Sequence, residues 1–475
     1  MLLLPREDRE RLWRRLAEIA ERYIENVARG RVAPELSPEK LRELLAPFDF
    51  ESPRDPLSMA DFAADALSRF QTHTPHPRYY GLINPAPATM GVAADFLVAA
   101  FNPQMAAWSH SPFAAEVENH LCRAFGARFG YDPATADGIF CSGGMEANHT
   151  AVLTALTASF PEYGDGGTRA VRGQPVLYVS REAHHSFLKA ARLCGLGTDA
   201  VREVPVDTRW RMDVDELQVE IARDLSAGMA PFLVVATAGT TNEGAVDPIA
   251  EIGAVAASAG AWFHVDAAWG GAAVFARKLK PLLEGIEKSD SITFDAHKWL
   301  SVPMGAGLYL TRRPDILTRT FRVDTAYMPR DAAGLPVVDP HQHSIQWSRR
   351  FIGLKVFLSL AVAGWEGYAA AVRHMTEMGD RLREGLTESG WRMVNDTPLP
   401  LVCFVDATRE GGGERSCLEA VARGIVSSGK AWISTTMLAG SLPCLRACIT
   451  NYRTGPEDVD ALVRDLNDVR ASSPL

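Results

Sequence analysis

No uncharged apolar run in the chain reaches the about 18 residues that a membrane-crossing helix needs. The nearest, GVAADFLVAAF, is interrupted by Asp95. The opening MLLLPREDRE sets three leucines ahead of proline and charge, too few for the apolar heart of a secretory signal, so the cytoplasm is expected. An excess of basic charge is missing as well. The 49 Lys and Arg against 58 Asp and Glu leave a net charge of −9, and no Lys/Arg run is flanked by aromatics, which argues against a nucleic-acid partner and for a small-molecule substrate. Cysteine is sparse. Seven cysteines are scattered, and Cys444 and Cys448 lack the spacing of a paired zinc knuckle, which fits free thiols in a reducing compartment and no metal. Fibrous and disordered composition is absent too. What remains is a globular composition, 47% hydrophobic and 23% charged over 475 residues. At roughly 100–200 residues per domain, this length predicts two or three domains.

From Glu10 to Val27, apolar residues at Leu12, Leu16, Ile19, Tyr23 and Val27 recur every three or four positions, predicting an amphipathic helix whose apolar stripe needs a partner. Proline-punctuated helical pieces follow, ending in HPRYYGLINPAPAT, where prolines stop regular structure. A boundary is placed there. From about residue 137 the pattern alternates short β-branched or aromatic runs (DGIFCSGG, PVLYVS, FLVVATAG, WFHVDA, SITFD, GAGLYLT) with helical segments. This predicts a mainly parallel sheet with helices on both faces. Between Phe321 and Ile345, Pro, Asp, Gly and His without periodicity predict a long loop over a site. The expected organisation is an N-terminal helical arm over 1–85, a large α/β domain over 86–360 and a small α+β domain over 361–475.

Ligands of open parallel sheets bind beyond the carboxyl ends of the strands, which directs attention to the residues just after each run. In CSGGMEAN, Gly143 and Gly144 stand between a strand and a helix. They form either a tight turn or a phosphate cradle built from backbone N–H groups and a helix N-terminus. His184 and His185, then Thr240 and Thr241, follow other strands and carry little meaning alone. In WFHVDAAWGG, Asp266 ends a strand of apolar residues, where a carboxylate needs a cation. Lys298, in FDAHKWLSVPMG, also sits just past an apolar strand. The two either pair as a buried salt bridge or meet different parts of one ligand, a desolvated lysine forming an imine and an aspartate holding a proton on a ring nitrogen. Pyridoxal 5′-phosphate has both needs, and its phosphate suits the glycine turn.

The succession SGGMEAN, AHHSFLKAA, ATAGTTNEGAVDPI, HVDAAWGG and DAHKWL resembles the group II pyridoxal-phosphate decarboxylases, which include aromatic amino acid, glutamate, cysteine sulfinate and diaminobutyrate decarboxylases. The likeness runs from HPRYYGLINPAP through SIQWSRR to LRACITNYRTGPEDVD. It implies the aspartate aminotransferase-like fold type I and a homodimer with shared active sites. It further implies decarboxylation of an L-amino acid to the amine and carbon dioxide, through a Lys298 aldimine and a quinonoid intermediate. By the same resemblance Asp266 pairs with the pyridine nitrogen, Ala268 packs beneath the ring, and His184 stacks on its other face and assists protonation. Gly143, Gly144 and Met145 form the phosphate turn. His297 helps hold the phosphate or the lysine's backbone, Thr241 lies near the 3′-oxygen or the substrate carboxylate, and Asp295 lies near the phosphate. Arg446 matches a position that binds a substrate carboxylate in glutamate decarboxylases, a structural arginine being the alternative. Trp108 falls in the 79–108 stretch that supplies pocket residues.

Three departures from the family pattern stand out. Met145 stands where many relatives have Ser or Thr, leaving more of the phosphate binding to backbone N–H groups. Leu82 and Ile83 stand where aromatic decarboxylases place aromatic residues. No tyrosine occurs between Met328 and Gly353, the loop in which many relatives carry a proton-donating tyrosine. Plant relatives lacking it release an aldehyde with peroxide, so an aldehyde synthase is the alternative outcome; His341 or His343 is a substitute donor, or both are ordinary loop histidines. Another pyridoxal-phosphate reaction on the same fold and a non-catalytic scaffold complete the alternatives.

Overall fold

The computed structural model describes residues 2–329, 331–408 and 410–472. The short apolar runs become strands of a seven-stranded sheet: β1 (Asp137–Cys141), β2 (Pro175–Ser180), β3 (Val201–Val204), β4 (Ala230–Thr237), β5 (Trp262–Asp266), β6 (Ser291–Asp295) and β7 (Gly307–Thr311). Their spatial order is β1-β7-β6-β5-β4-β2-β3. Pairings among β2, β3, β4, β5 and β6 are parallel, whereas β7 runs antiparallel between β1 and β6. Most of these strands are buried along their whole length, as expected where helices cover both faces of a sheet. The fold is that of the pyridoxal-phosphate fold type I, α/β class. One strand escapes the apolar-run pattern. The edge strand β3 reads VREV, with Arg202 half-buried against Asp224 and Glu203 exposed.

A second, antiparallel sheet of β8 (Trp391–Met393), β9 (Leu401–Asp406), β10 (Ser434–Leu438) and β11 (Leu442–Cys448) has the order β10-β11-β9-β8. The helical span Gly353–Glu388 leads into it from the large sheet and is interrupted at Gly364 (φ 65°, ψ 172°), a conformation that side chains resist. At the other end of the chain, helix Arg6–Asn26 forms where the periodicity predicts it and buries none of its residues. Helices Pro38–Leu45 and Pro56–Phe70 each start on proline, with the Ser37 and Asp55 side chains accepting from the backbone N–H groups of Lys40 and Ser58. No helix among the described residues is long and apolar enough to cross a membrane.

Candidate active site

The carboxyl ends of β1, β4, β5 and β6 converge because these strands run in one direction, and a cavity of ≈ 510 Å³ opens above them. After β1 the chain turns through Ser142, Gly143 and Gly144 into helix Gly144–Ser159; Met145, Asn148 and His149 follow along the same wall. The far walls hold His184 after β2, Thr237 and Thr241 at the end of β4, Asp266 and Ala268 at β5, and Asp295, His297 and Lys298 at β6.

Lys298 pairs with Asp295 (Nζ to Oδ2 3.1 Å), not with Asp266. The Asp295 side chain is almost fully buried, that of Lys298 about a quarter exposed. Two glycines make room for this carboxylate. A Cβ on Gly144 would lie 2.7 Å from Asp295 Oδ2, and one on Gly307 would lie 2.7 Å from Oδ1 and from the Gly143 backbone. Asp295 Oδ1 and Thr237 Oγ1 are buried without hydrogen-bond partners among the described residues, polar atoms left available at the cavity.

Asp266 instead accepts from the Asn148 side-chain amide at 2.8 Å and from the Ala268 backbone N–H at 3.1 Å. The His184 Nδ1 accepts from the Ser186 backbone N–H at 3.2 Å, so the neutral ring carries its proton on Nε2. Burial lowers the His184 pKa, against the pull of Asp266. His297 is held the same way, its Nδ1 accepting from the Ala306 N–H at 3.2 Å, and burial lowers its pKa too. The glycine turn is braced by Glu146, which accepts from the Ser142 N–H (2.8 Å) and hydroxyl (2.6 Å) and from Gln346 of the SIQWSRR segment (2.7 Å).

This donor set fits pyridoxal phosphate. A lysine amine, a carboxylate fixed as an acceptor, and a turn of exposed N–H groups at a helix start meet the cofactor's carbonyl carbon, ring nitrogen and phosphate. Residues 38–406 match the family model described as the pyridoxal-dependent decarboxylase conserved domain. The chain belongs to the pyridoxal-dependent decarboxylase family. It is 28% identical to the aromatic-L-amino-acid decarboxylase of Bacillus atrophaeus over 463 residues, covering 96% of this chain and 94% of the relative. With the L-2,4-diaminobutyrate decarboxylase of Rhizobium meliloti it shares 31% identity over 392 residues, 82% of this chain and 77% of the relative. The crystal structure of mouse CSAD superposes with a TM-score of 0.90 at 26% identity, covering 97% of this chain and 98% of that one. The decarboxylase is thus a pyridoxal-phosphate-dependent carboxy-lyase of amino acid metabolism.

Five other positions singled out in the sequence do not line the cavity of this decarboxylase: Leu82, Ile83, Trp108, His341 and Arg446. Leu82 is exposed and Ile83 buried. The Trp108 backbone N–H donates to Asp339. His341 is buried and hydrogen-bonds the Ala106 carbonyl at 3.0 Å, whereas His343 meets the Thr318 hydroxyl at 2.7 Å, so the H-x-H pair serves two separate contacts. Arg446 bonds the carbonyls of Thr241, Asn242 and Gly81, and its Nη2 is buried without a partner among the described residues.

Behind Thr241, a second acid stands out. Glu243 is buried with neither oxygen partnered among the described residues, and burial together with the nearby Glu182 pushes its pKa up to about 9 from an ordinary 4.5. The folded chain therefore keeps a proton that the unfolded chain gives up across that interval. Stability contributed by this group is complete below 4.5 and lost as pH rises toward 9. Glu243→Gln is expected to be roughly 2–4 kcal/mol more stable than the parent at pH 8 and to match it near pH 4.5. Urea unfolding at the two pH values checks this; parallel pH profiles would contradict it.

Proposed function

We propose that this decarboxylase converts an L-amino acid to the corresponding amine and carbon dioxide without consuming oxygen, with Lys298 as its covalent anchor. The observation that carries the reading is the Lys298 amine at the cavity wall, paired to Asp295 beside Gly144, where a Cβ would lie 2.7 Å from that carboxylate. Pyridoxal phosphate, when bound, supplies the electron sink that takes up the bonding pair as the carboxylate departs. Lys298 would hold the cofactor carbon, and Asp266, an acceptor on both oxygens, would hold the proton on the ring nitrogen. Gly143, Gly144 and Met145 would hold the phosphate through backbone N–H groups with His297 close by. Ala268 and His184 would flank the ring, and the His184 Nε2–H is the donor available for returning a proton. Thr241 would face the 3′-oxygen or the substrate carboxylate. The Arg446 guanidinium, buried and bonded to the carbonyls of Thr241, Asn242 and Gly81, fits the structural alternative for that side chain.

A homodimer is part of the same reading. Helix Arg6–Asn26 exposes Trp13, Leu16 and Ile24, and helix Thr89–Phe101 exposes Phe96, Leu97 and Phe101; the Trp13 and Phe96 rings lie 5.8 Å apart, joining the two into one apolar surface. Such a surface is suited to a second copy. The seven free, buried cysteines support a reducing, cytoplasmic setting.

The oxidative alternative, an aldehyde synthase, is favoured by one observation, the absence of tyrosine from Met328 to Gly353. A screen of L-amino acids that follows carbon dioxide, amine, oxygen and peroxide together separates the two outcomes. Amine formed in step with carbon dioxide and independently of oxygen is expected. Stoichiometric oxygen uptake with aldehyde would overturn the amine reading.

A further inference from the structure

The Asp266 carboxylate stands at the end of a buried polar chain that runs along one face of the sheet. Asn148, on helix Gly144–Ser159, donates from one amide nitrogen to Asp266 Oδ2 (2.8 Å) and to the Ser186 hydroxyl (2.8 Å). Its amide oxygen lies 3.3 Å from His264 Nε2, and His264 Nδ1 lies 2.8 Å from the Ser291 hydroxyl. His264 is fully buried in β5, two residues before Asp266, so that both side chains leave the same face of the strand.

The proton positions along this chain follow from what each group can do. A carboxylate only accepts, so the Asn148 nitrogen must face Asp266 and its oxygen must face His264. The His264 Nε2 must then carry hydrogen, and Nδ1 accepts from Ser291. Burial lowers the His264 pKa to about 4, which leaves the ring neutral at physiological pH, and Nε2 also lies 3.3 Å from the Thr293 hydroxyl, a second acceptor for its N–H. Turning the Asn148 amide over would set its oxygen against the Asp266 carboxylate. His264 complements that orientation through the Asn148 oxygen, and Asn148 together with the Ala268 N–H fixes Asp266.

We propose that Asn148, backed by His264, is a positioning residue that holds Asp266 as the acceptor for the cofactor's ring-nitrogen proton, and so determines how firmly that nitrogen stays protonated. The proposal rests on the reading of Asp266 as the ring-nitrogen partner and adds the groups that make it effective. The chain's atoms are on separate elements, helix Gly144–Ser159, β5 and β6, so the arrangement depends on the fold and not on one local segment. An asparagine that merely filled space would serve as well in either amide orientation.

The test uses holoenzyme reconstituted with pyridoxal phosphate carrying the heavy nitrogen isotope in its ring, with the ring-nitrogen resonance followed against pH. In the parent the resonance is expected at the pyridinium position at neutral pH. Asn148→Leu is expected to move deprotonation to a pH lower by about one unit, the effect of losing one hydrogen bond to a charged group. Asn148→Asp, close to isosteric, guards against a folding defect and is expected to displace the resonance as well, because it removes the donor. Ser186→Ala removes a contact of Asn148 that does not involve Asp266 and is expected to leave the resonance in place. Parent-like titrations in both Asn148 variants would overturn the proposal while leaving the Asp266 reading intact. A neutral ring nitrogen in the parent would overturn the Asp266 reading and the proposal with it.

Discussion

Lys298→Ala is expected to abolish turnover, with a loss of several orders of magnitude in kcat and no covalently held cofactor. The amine that is removed is the only lysine nitrogen lining the cavity among the described residues. Its surroundings explain why it can act there. Asp295 balances its charge at 3.1 Å, and the amine stands at the cavity wall, partly exposed to an incoming ligand. Lys298→Arg keeps the charge beside Asp295 but cannot form the imine, so it should be as inactive as the alanine variant while remaining folded. The comparison separates chemistry from stability, and substantial amine formation by either variant would sink the assignment. Visible absorption of the purified variants, set against that of the parent, gives a second reading of the same point.

The largest expected effect on stability lies elsewhere, at Glu118. Its carboxylate and the Arg349 guanidinium are both nearly inaccessible to water and meet through two hydrogen bonds, of 2.6 and 3.2 Å. Glu118 Oε1 also accepts from the backbone N–H groups of Ile352 (3.0 Å) and Gly353 (2.9 Å), where the helical span Gly353–Glu388 begins. One side chain thus neutralises a buried cation and satisfies a helix start. Glu118→Ala is expected to cost about 3–5 kcal/mol, the usual penalty for stranding one member of a buried ion pair. The double variant Glu118→Leu with Arg349→Met should recover the part due to the stranded charge and leave the part due to the helix N–H groups. Denaturant unfolding of the two variants checks both statements; a loss below about 1 kcal/mol in Glu118→Ala would place the pair in the weak class of exposed ion pairs.

Much of the fold was legible in the sequence because its signals are local. Runs such as PVLYVS and SITFD are short, apolar and β-branched, and they become buried strands at the positions read for them. The strand VREV was not legible, since an edge strand needs apolar residues on one face only and this one is four residues long. Nor could the place of β7 be read. It is as apolar as its neighbours, and nothing in GLYLT records that it inserts antiparallel between β1 and β6. The interruption at Gly364 was hidden for a related reason, a glycine inside a helical pattern being compatible with a continuous helix.

The site divides in the same way. Lys298, Asp266 and the glycine turn were visible as residue types out of keeping with their apolar strands. That Lys298 pairs with Asp295 and not with Asp266 was not, because it depends on how the ends of β5 and β6 are spaced. Asn148 left no signal at all. Asparagine near a helix start is unremarkable in sequence, and its partners Asp266 and His264 lie more than a hundred positions away. The Gly307 requirement was equally silent, since the glycine is explained only by an Asp295 oxygen across the strand pair.

The account stands or falls on where the cofactor is attached. Hydride reduction of the holoenzyme, followed by digestion and mass spectrometry, locates it directly. The expected result is the reduced cofactor's mass on the peptide carrying Lys298 and on no other lysine. Cofactor mass on a different lysine, or none on the Lys298 peptide of an active preparation, would contradict it.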